Sequence, residues 1–215
     1  MSEIARTART KLHRAPGRGS YERDEVYAAI DNAVVGHVGY AIEDTPYVTP
    51  TAVWRNGGYL YWHAAESGRM ARHLSQRVPV CVTVTHFDGL VAARSAFHHS
   101  VNYRSVMAFG VAEQIDSADA KMAALEHFVE RLYPGRWESI RQPDAAELAR
   151  TSVFRVPLDE AVCKARSGPP VDDDADLALD VWAGTVPIVH QLGEPADAPD
   201  LTATAPVGAV NAAVN

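Results

Sequence analysis

The sequence contains only two cysteines, Cys81 and Cys163, which lie far apart in a chain of 215 residues. Such sparse cysteine usage argues against a disulfide framework and indicates a reducing compartment, which we expect to be the cytoplasm. No stretch approaches the roughly 18 consecutive apolar residues that a membrane-spanning helix requires, so we expect no membrane association. The first residues are basic, but no apolar segment follows them, and we therefore expect no secretory signal.

Several motifs of catalysis and metal binding are also missing. The chain has neither a glycine-rich phosphate loop of the nucleotide-binding kinds nor a Gly-x-Ser-x-Gly turn, which argues against a serine triad. It has no Cys-x-x-Cys and no His-x-x-x-His pair. His98 and His99 are adjacent, and on extended backbone they would point to opposite sides. We therefore predict no metal site.

Charge is distributed unevenly along the chain, whose formal net charge is −7. Residues 1–23 hold six Lys and Arg against two Glu, whereas residues 167–215 hold eight acids and no Lys or Arg. A basic N-terminal arm could contact nucleic acid, but the overall acidity argues against it, and we predict no nucleic-acid partner. Arms of this kind more often lie across a partner subunit or a phosphate group.

Short runs rich in β-branched and aromatic residues, separated by turn residues, dominate the middle of the chain. They predict strands at residues 36–43, 47–55, 59–63, 78–86, 90–96, 103–114 and 151–156. Helices are predicted at residues 23–33, 117–132 and 145–149, with a short one after Ser67-Gly68. Tight turns at Asn56-Gly57-Gly58 and Asp88-Gly89 would join neighbouring strands, a pattern typical of an antiparallel barrel.

These elements divide the chain into four parts. We predict a basic, extended arm at residues 1–20 and one barrel domain at residues 21–166, in which residues 151–156 form the last strand. Residues 167–200 are rich in Pro, Asp and Ala and predict a wrap over the surface. The tail at residues 201–215 is predicted to be disordered.

The stretch from Tyr59 to Leu74 combines an aromatic strand, a small-residue turn and a helix start at Glu66-Ser67-Gly68. Arg69 and Arg72 follow three residues apart and share one helical face. Free backbone N–H groups at a helix start and nearby guanidinium groups favour an anion, so the stretch predicts an anion site. The alternative is an ordinary turn with solvated arginines. His63, at the end of the strand, is either a packed histidine or a catalytic residue.

Two sets of segments resemble a known family. Residues 46–51 and 58–69 resemble the flavin-binding core of the pyridoxamine 5'-phosphate oxidase-like split barrels. Residues 94–106 and residues 182–187 resemble the branch of that family that contains the nitroimidazole-resistance proteins. The resemblance covers roughly residues 20 to 190, and residues 99–106 are its most specific part.

The resemblance implies a mainly β split barrel of the FMN-binding type, forming a homodimer with FMN in clefts at the subunit interface. It assigns Thr49, Pro50 and Thr51 to the isoalloxazine ring, Trp62, His63 and Ala64 to the path toward the ribityl chain, and Ser67, Gly68 and Arg69 to the phosphate. Arg72 is a further phosphate candidate. Arg104 and Ser105 match an Arg-Gln pair of the oxidases, whose Gln contacts FMN.

The sequence also departs from the oxidases in that family. They place a serine directly before the phosphate arginine and a lysine directly after it, whereas this chain has Gly68 and Met70 there, with Ser67 one place earlier. Their C-terminal substrate-binding segment has no match in this chain. Oxidation of pyridoxamine phosphate is therefore not the reaction that we expect.

The resulting prediction is a flavin-dependent oxidoreductase that acts on a small molecule, with reduction of a nitro compound as the example. His63 is predicted to be its catalytic residue, acting as a proton donor. Two alternatives remain open. The chain could be a non-catalytic flavin-binding or redox-sensing protein, or the same barrel could bind haem or a deazaflavin.

Overall fold

The computed structural model describes residues 2–202, 208 and 210, and within them the chain forms ten β-strands and four α-helices. In chain order the elements are β1 (Gly19–Ser20), α1 (Arg23–Asp31), β2 (Val35–Ile42), β3 (Thr45–Asn56), β4 (Tyr59–Ala65), α2 (Arg69–Leu74), β5 (Pro79–Ala92), β6 (Ser100–Val111), β7 (Glu113–Gln114), α3 (Ala118–Leu132), α4 (Ala145–Ala149), β8 (Thr151–Pro157), β9 (Ala161–Arg166) and β10 (Gly184–Pro187). None of the helices among these residues is long and apolar enough to cross a membrane.

The strands form one antiparallel sheet in the order β1-β9-β6-β5-β2-β3-β4-β8-β7, and β10 pairs with β5 beside β2. The sheet curls so that Val106 and Ala108 of β6 share a core with Phe154 and Val156 of β8. The mainly β, antiparallel barrel predicted from the sequence is therefore confirmed.

Strand β4 separates two apolar layers, because successive side chains of a strand point to opposite faces. Leu60 and Trp62 belong to the main core inside the barrel, whereas Tyr61 belongs to a second, smaller core with Trp54. Helix α3 covers this second core with Phe128. The predicted capping of α3 is confirmed, because the Ser117 side chain accepts the backbone N–H of Ala120 at 3.3 Å.

The predicted hairpin at Asp88-Gly89 is wrong. Strand β5 runs without reversal from Pro79 to Ala92, and only a bulge between Phe87 and Gly89 interrupts its register with β6. Gly89 allows β10 to approach β5 closely, because a Cβ at this position would lie only 2.8 Å from the backbone oxygen of Val186 in β10. The chain reverses later instead, around a short 3-10 helix at Ala96–His98.

The prediction that residues 151–156 form the last strand is also wrong, because β9 and β10 follow β8. Strand β9 lies between β6 and β1, so both of its edges are paired. Its sequence mixes small, apolar and basic residues and lacks a strong β pattern, which explains why local periodicity misses it.

Segments near both ends of the chain contact the barrel. Part of the predicted arm folds back onto the body, where Ile4 is buried in the main core and β1 pairs with β9. Residues 167–200 contribute β10 to the sheet. The predicted disordered tail at residues 201–215 lies outside the described residues, apart from Leu201, Thr202, Gly208 and Val210. Both cysteines are free thiols; Cys163 is buried and Cys81 is half-buried.

Candidate functional site

Strand β3 changes partners in its middle, and this change opens a cleft. Residues 45–52 of β3 pair with β2, whereas residues 53–56 pair with β4. Beyond the Val53–Trp62 pair, β3 and β4 diverge, and the hydroxyl of Thr51 donates to the backbone oxygen of His63 at 3.2 Å. In the described part of the chain, no strand pairs with the second edge of residues 45–52. Unpaired strand edges offer backbone groups to a ligand.

Three of the predicted flavin-binding residues lie along this open edge. Thr49 and Thr51 are half-buried, and Pro50 is exposed. The hydroxyls of Thr49 and Tyr40 lie 3.3 Å apart, within hydrogen-bonding distance. Tyr40 in turn stacks on Tyr47, with ring centroids 5.6 Å apart and planes inclined by 15°. The edge is therefore held by an aromatic pair and accessible from outside.

The turn that leads into α2 closes the other end of the cleft. Gly68 precedes the helix, and its N–H donates to the backbone oxygen of Ala65 at 2.9 Å. A Cβ at Gly68 would lie 2.9 Å from that same oxygen, so a larger residue would force the turn open. The turn of this chain therefore favours glycine at position 68.

The two arginines of this turn carry charges that the described residues leave unpaired. Arg69 lies over the ring of Tyr47, 4.2 Å from its centroid, and Arg72 is exposed one turn later. No carboxylate in the described ranges pairs with either guanidinium group. Cation–π contact positions Arg69 without neutralising it. The charge is therefore available to an anion beside Ser67 and Gly68.

Trp62 and Ala64 point into the barrel and away from solvent. Trp62 is 0% exposed and stacks on Phe154, with centroids 5.9 Å apart, and Ala64 packs against the same core. The side chain of Trp62 therefore cannot reach a ligand outside the barrel. Any contact of Trp62 with the cofactor would have to come from its backbone.

His63 points the other way, into a cavity of about 380 Å³ between β4, α3 and the segment that precedes α4. The apolar side chains that line the cavity are Leu125, Phe128, Val129, Trp137, Ile140 and Pro143. The imidazole lies 6.0 Å from the Trp54 ring and 5.6 Å from the Phe128 ring, measured between centroids. Its Nδ1 is buried, and among the described residues neither ring nitrogen has a hydrogen-bond partner.

Burial lowers the pKa of His63 below its ordinary value of 6.5. The imidazole is therefore neutral near neutral pH, which suits a base or a metal ligand better than the predicted proton donor. Sequence reasoning did not anticipate this cavity, because its other lining residues, from Leu125 onward, lie more than sixty residues further along the chain.

This pKa shift leads to a prediction about stability. Since folding lowers the pKa, the stabilising contribution of the neutral ring is present above about pH 6.5 and is lost as the pH falls through the folded value. His63→Gln is expected to flatten the decrease of unfolding free energy below pH 6.5, measured by urea denaturation at a series of pH values. His13→Gln, at an exposed position in the arm, is the control, and identical profiles for wild type and His63→Gln would contradict the assignment.

Arg104 and Ser105 lie elsewhere in the protomer. Two strands, β5 and β2, separate β6 from β3 in the sheet, a distance of about 14 Å at the usual strand spacing. Arg104 makes two hydrogen bonds to Asp88, at 3.0 and 2.8 Å, which lower the pKa of the carboxyl and raise that of the guanidinium. Ser105 donates to the backbone oxygen of Lys164 at 3.2 Å. One chain therefore does not bring these two residues to the cleft.

Beside Arg104 lies a second cavity of about 390 Å³ that the sequence did not indicate. His86, Asp88 and His190 contribute polar groups to it. Asp88 is followed by glycine, a pair that is typical of turns. The same pair led to the wrong prediction of a hairpin at this position. No group of three or more His, Cys, Asp or Glu within the described ranges is placed to hold a metal ion.

Comparison with known proteins agrees with the resemblance found in the sequence. The family model for pyridoxamine 5'-phosphate oxidase matches residues 22–165, which confirms that resemblance. No curated protein matches the chain with significant similarity.

Three solved structures are similar to this one. The flavocytochrome Anf3 from Azotobacter vinelandii is 40% identical, with a TM-score of 0.89 and 93% of each chain covered. The FAD and haem binding protein from Mycobacterium smegmatis is 32% identical, with a TM-score of 0.86, covering 92% of this chain and 100% of that one. A protein from Bacteroides thetaiotaomicron assigned to 5-nitroimidazole resistance shares the fold at 21% identity and a TM-score of 0.58, over 68% of this chain and 85% of that one.

Proposed function

This chain belongs to the pyridoxamine 5'-phosphate oxidase family, and from that premise we propose that it is a flavin-dependent redox protein. The flavin would lie in the cleft where β3 and β4 diverge, with its phosphate at Ser67, Gly68 and Arg69. The observation that carries this proposal is the uncompensated charge of Arg69, held over Tyr47 at one end of that cleft. The described residues thus leave an open strand edge and a cation in the places that a phosphorylated planar ligand needs.

The residues present fit the flavin mononucleotide portion that FMN and FAD have in common. Thr49, Pro50 and Thr51 offer backbone groups along the ring, the backbone of His63 and Ala64 continues the path, and Arg72 can assist Arg69. A bound flavin would supply one- or two-electron redox chemistry. The protein would orient the ring and compensate the charge of the phosphate. A small acceptor such as a nitro compound remains the proposed substrate class.

FMN was the cofactor predicted from the sequence, whereas one of the two relatives above 30% identity is described as binding FAD. Both cofactors would place the same phosphate at Arg69, so the site alone does not favour one. The test is to purify the protein, record its visible spectrum and release the flavin by denaturation for chromatography. A protein that neither retains flavin nor binds added FMN or FAD would contradict the proposed function.

We also propose that the protein is a homodimer. Outward-facing apolar side chains remain exposed on neighbouring strands, with Val48 at 66%, Val35 at 53% and Leu90 at 49% exposure. Because Arg104 and Ser105 lie away from the cleft of their own chain, only a second copy could bring them to it. A two-fold interface places the same patch of both subunits in contact.

The dimer leads to a prediction that light scattering can check. We expect about twice the chain mass of 23.3 kDa at micromolar concentration. Replacing Val48 by Asp introduces a charge into the proposed interface and should shift the protein toward monomer. Ala118→Asp, at the exposed start of α3 and away from these strands, is the control for an added surface charge. A flavin-loaded protein of single-chain mass would rule out a cofactor site shared between subunits.

The cavity of His63 favours a second candidate function, in which the protein also binds haem. Anf3 is a flavocytochrome, and the relative from Mycobacterium smegmatis binds FAD and haem. The residues of this chain fit such a group, because a neutral imidazole without a hydrogen-bond partner faces a mostly apolar cavity. Neutral imidazole is a common ligand of haem iron. His63 would then be the residue that binds the haem iron.

A further inference from the structure

The N-terminal arm encloses a cavity that the proposed function leaves unused. Its walls are anchored to the barrel, because Thr10 is fully buried and its backbone oxygen accepts the hydroxyl of Tyr21 at 2.7 Å. The side chains of Thr7 and Arg9 both bond to Glu160, at the start of β9. The backbone N–H of Ile4 donates to the oxygen of Tyr21 at 2.8 Å. The cavity is therefore preformed by a fixed segment.

This cavity has a volume of about 330 Å³, within the range of small-molecule sites. Cationic and apolar side chains share its lining, which includes Arg6, Lys11, Leu12, Pro16 and Tyr21. No Asp or Glu lines it among the described residues. The guanidinium of Arg6 lies 4.4 Å from the centroid of the Tyr21 ring. The lining therefore places positive charge beside apolar side chains.

The charges of Arg6 and Lys11 are not compensated in the part of the chain that the structure describes. Arg9, on the same arm, forms an ion pair with Glu160 and thereby uses that carboxylate. Neither Arg6 nor Lys11 lies within ion-pairing distance of a carboxylate of these described residues. Both side chains are exposed and line the same cavity, so an anionic ligand bound there would compensate their charge.

We propose that this cavity binds a phosphorylated ligand of about mononucleotide size, with its phosphate at Arg6 and Lys11 and its planar base against Leu12 and Pro16. The class includes free nucleotides and the adenosine diphosphate portion of dinucleotides. The site has no residue in common with the flavin cleft and goes beyond the proposed function. It also gives a role to two of the five basic residues in the first 20 positions.

The experiment is calorimetric titration of the full-length, flavin-containing protein with ADP at low ionic strength, with inorganic phosphate and adenosine as separate probes. The charge variant is Arg6→Gln/Lys11→Gln. Its matched control is Arg14→Gln/Arg18→Gln, which removes two cations from the same arm that do not line the cavity. Loss of charge-assisted phosphate contacts should weaken ADP binding roughly tenfold or more in the first variant, and little in the second.

A cavity-filling variant, Ala8→Leu, tests the pocket without changing its charge and should also lose ADP binding. Thermal unfolding and flavin content should remain at wild-type levels in all variants. ADP that binds no more tightly than phosphate, or equal weakening by both double variants, would overturn the proposal. Release of flavin by Arg6→Gln/Lys11→Gln would also contradict it, because the arm would then belong to the flavin site.

Discussion

Replacing Arg69 by alanine is expected to lower the affinity for flavin roughly ten- to a hundredfold, the usual effect of losing one charge-assisted phosphate contact. The guanidinium stands over the ring of Tyr47 with no carboxylate partner in the described chain. The substitution therefore removes a charge that only the ligand would compensate. The measurement is fluorescence titration of flavin-depleted protein with FMN and FAD.

The stability of this variant should change little, because Arg69 is exposed and forms no ion pair within the described ranges. Arg69→Lys should retain part of the affinity, since lysine keeps the charge but not the planar geometry of the guanidinium. Arg136→Ala provides the control, because Arg136 is also exposed and its side chain forms no hydrogen bond or ion pair among the described residues. If Arg69→Ala binds flavin with wild-type affinity, the flavin phosphate does not bind at the start of α2.

The parts of this site that the sequence predicts are those that local chemistry determines. The aromatic alternation of Tyr61 and Trp62, the Gly57-Gly58 hairpin and the start of α2 at Arg69 all lie within one short stretch. Each depends on neighbours a few residues away, so periodicity and turn chemistry suffice to predict them. The prediction of an anion site rests on the same local signals and remains to be tested.

Features that depend on distant strands cannot be predicted from the local sequence. The change of partner in the middle of β3 follows from the positions of β2 and β4, and no residue at Ala52 or Val53 signals it. Likewise Asp88-Gly89 satisfies the local rules for a turn, but pairing with β6 and β10 keeps it in a strand. At such positions, pairing with distant strands determines the secondary structure more strongly than local propensity does.

The environment of His63 separates the two roles considered for it. A proton donor must be protonated before it reacts, and burial among apolar groups opposes this by lowering its pKa. A metal ligand must be neutral, and the same burial favours that form. The physical surroundings thus support ligation of haem iron more strongly than proton donation to a substrate of the flavin.

His63→Ala is therefore expected to lower haem affinity by at least roughly a hundredfold, since even outer-shell partners of a metal site contribute ten- to a hundredfold. The substitution enlarges the cavity, so loss of haem could not be attributed to blocked space. Added imidazole should enter the vacated volume and restore the spectrum of a histidine-ligated haem. The measurement is titration with hemin, followed by visible absorption.

His13→Ala supplies the matched control, because His13 is exposed in the N-terminal arm and its side chain has no hydrogen bond among the described residues. It should bind haem as the wild type does. Flavin content should remain unchanged in both variants, since the cleft contacts only the backbone of His63. If His63→Ala binds haem with wild-type affinity and spectrum, the cavity under α3 is not the haem site, and His63 has only a packing role between Trp54 and Phe128.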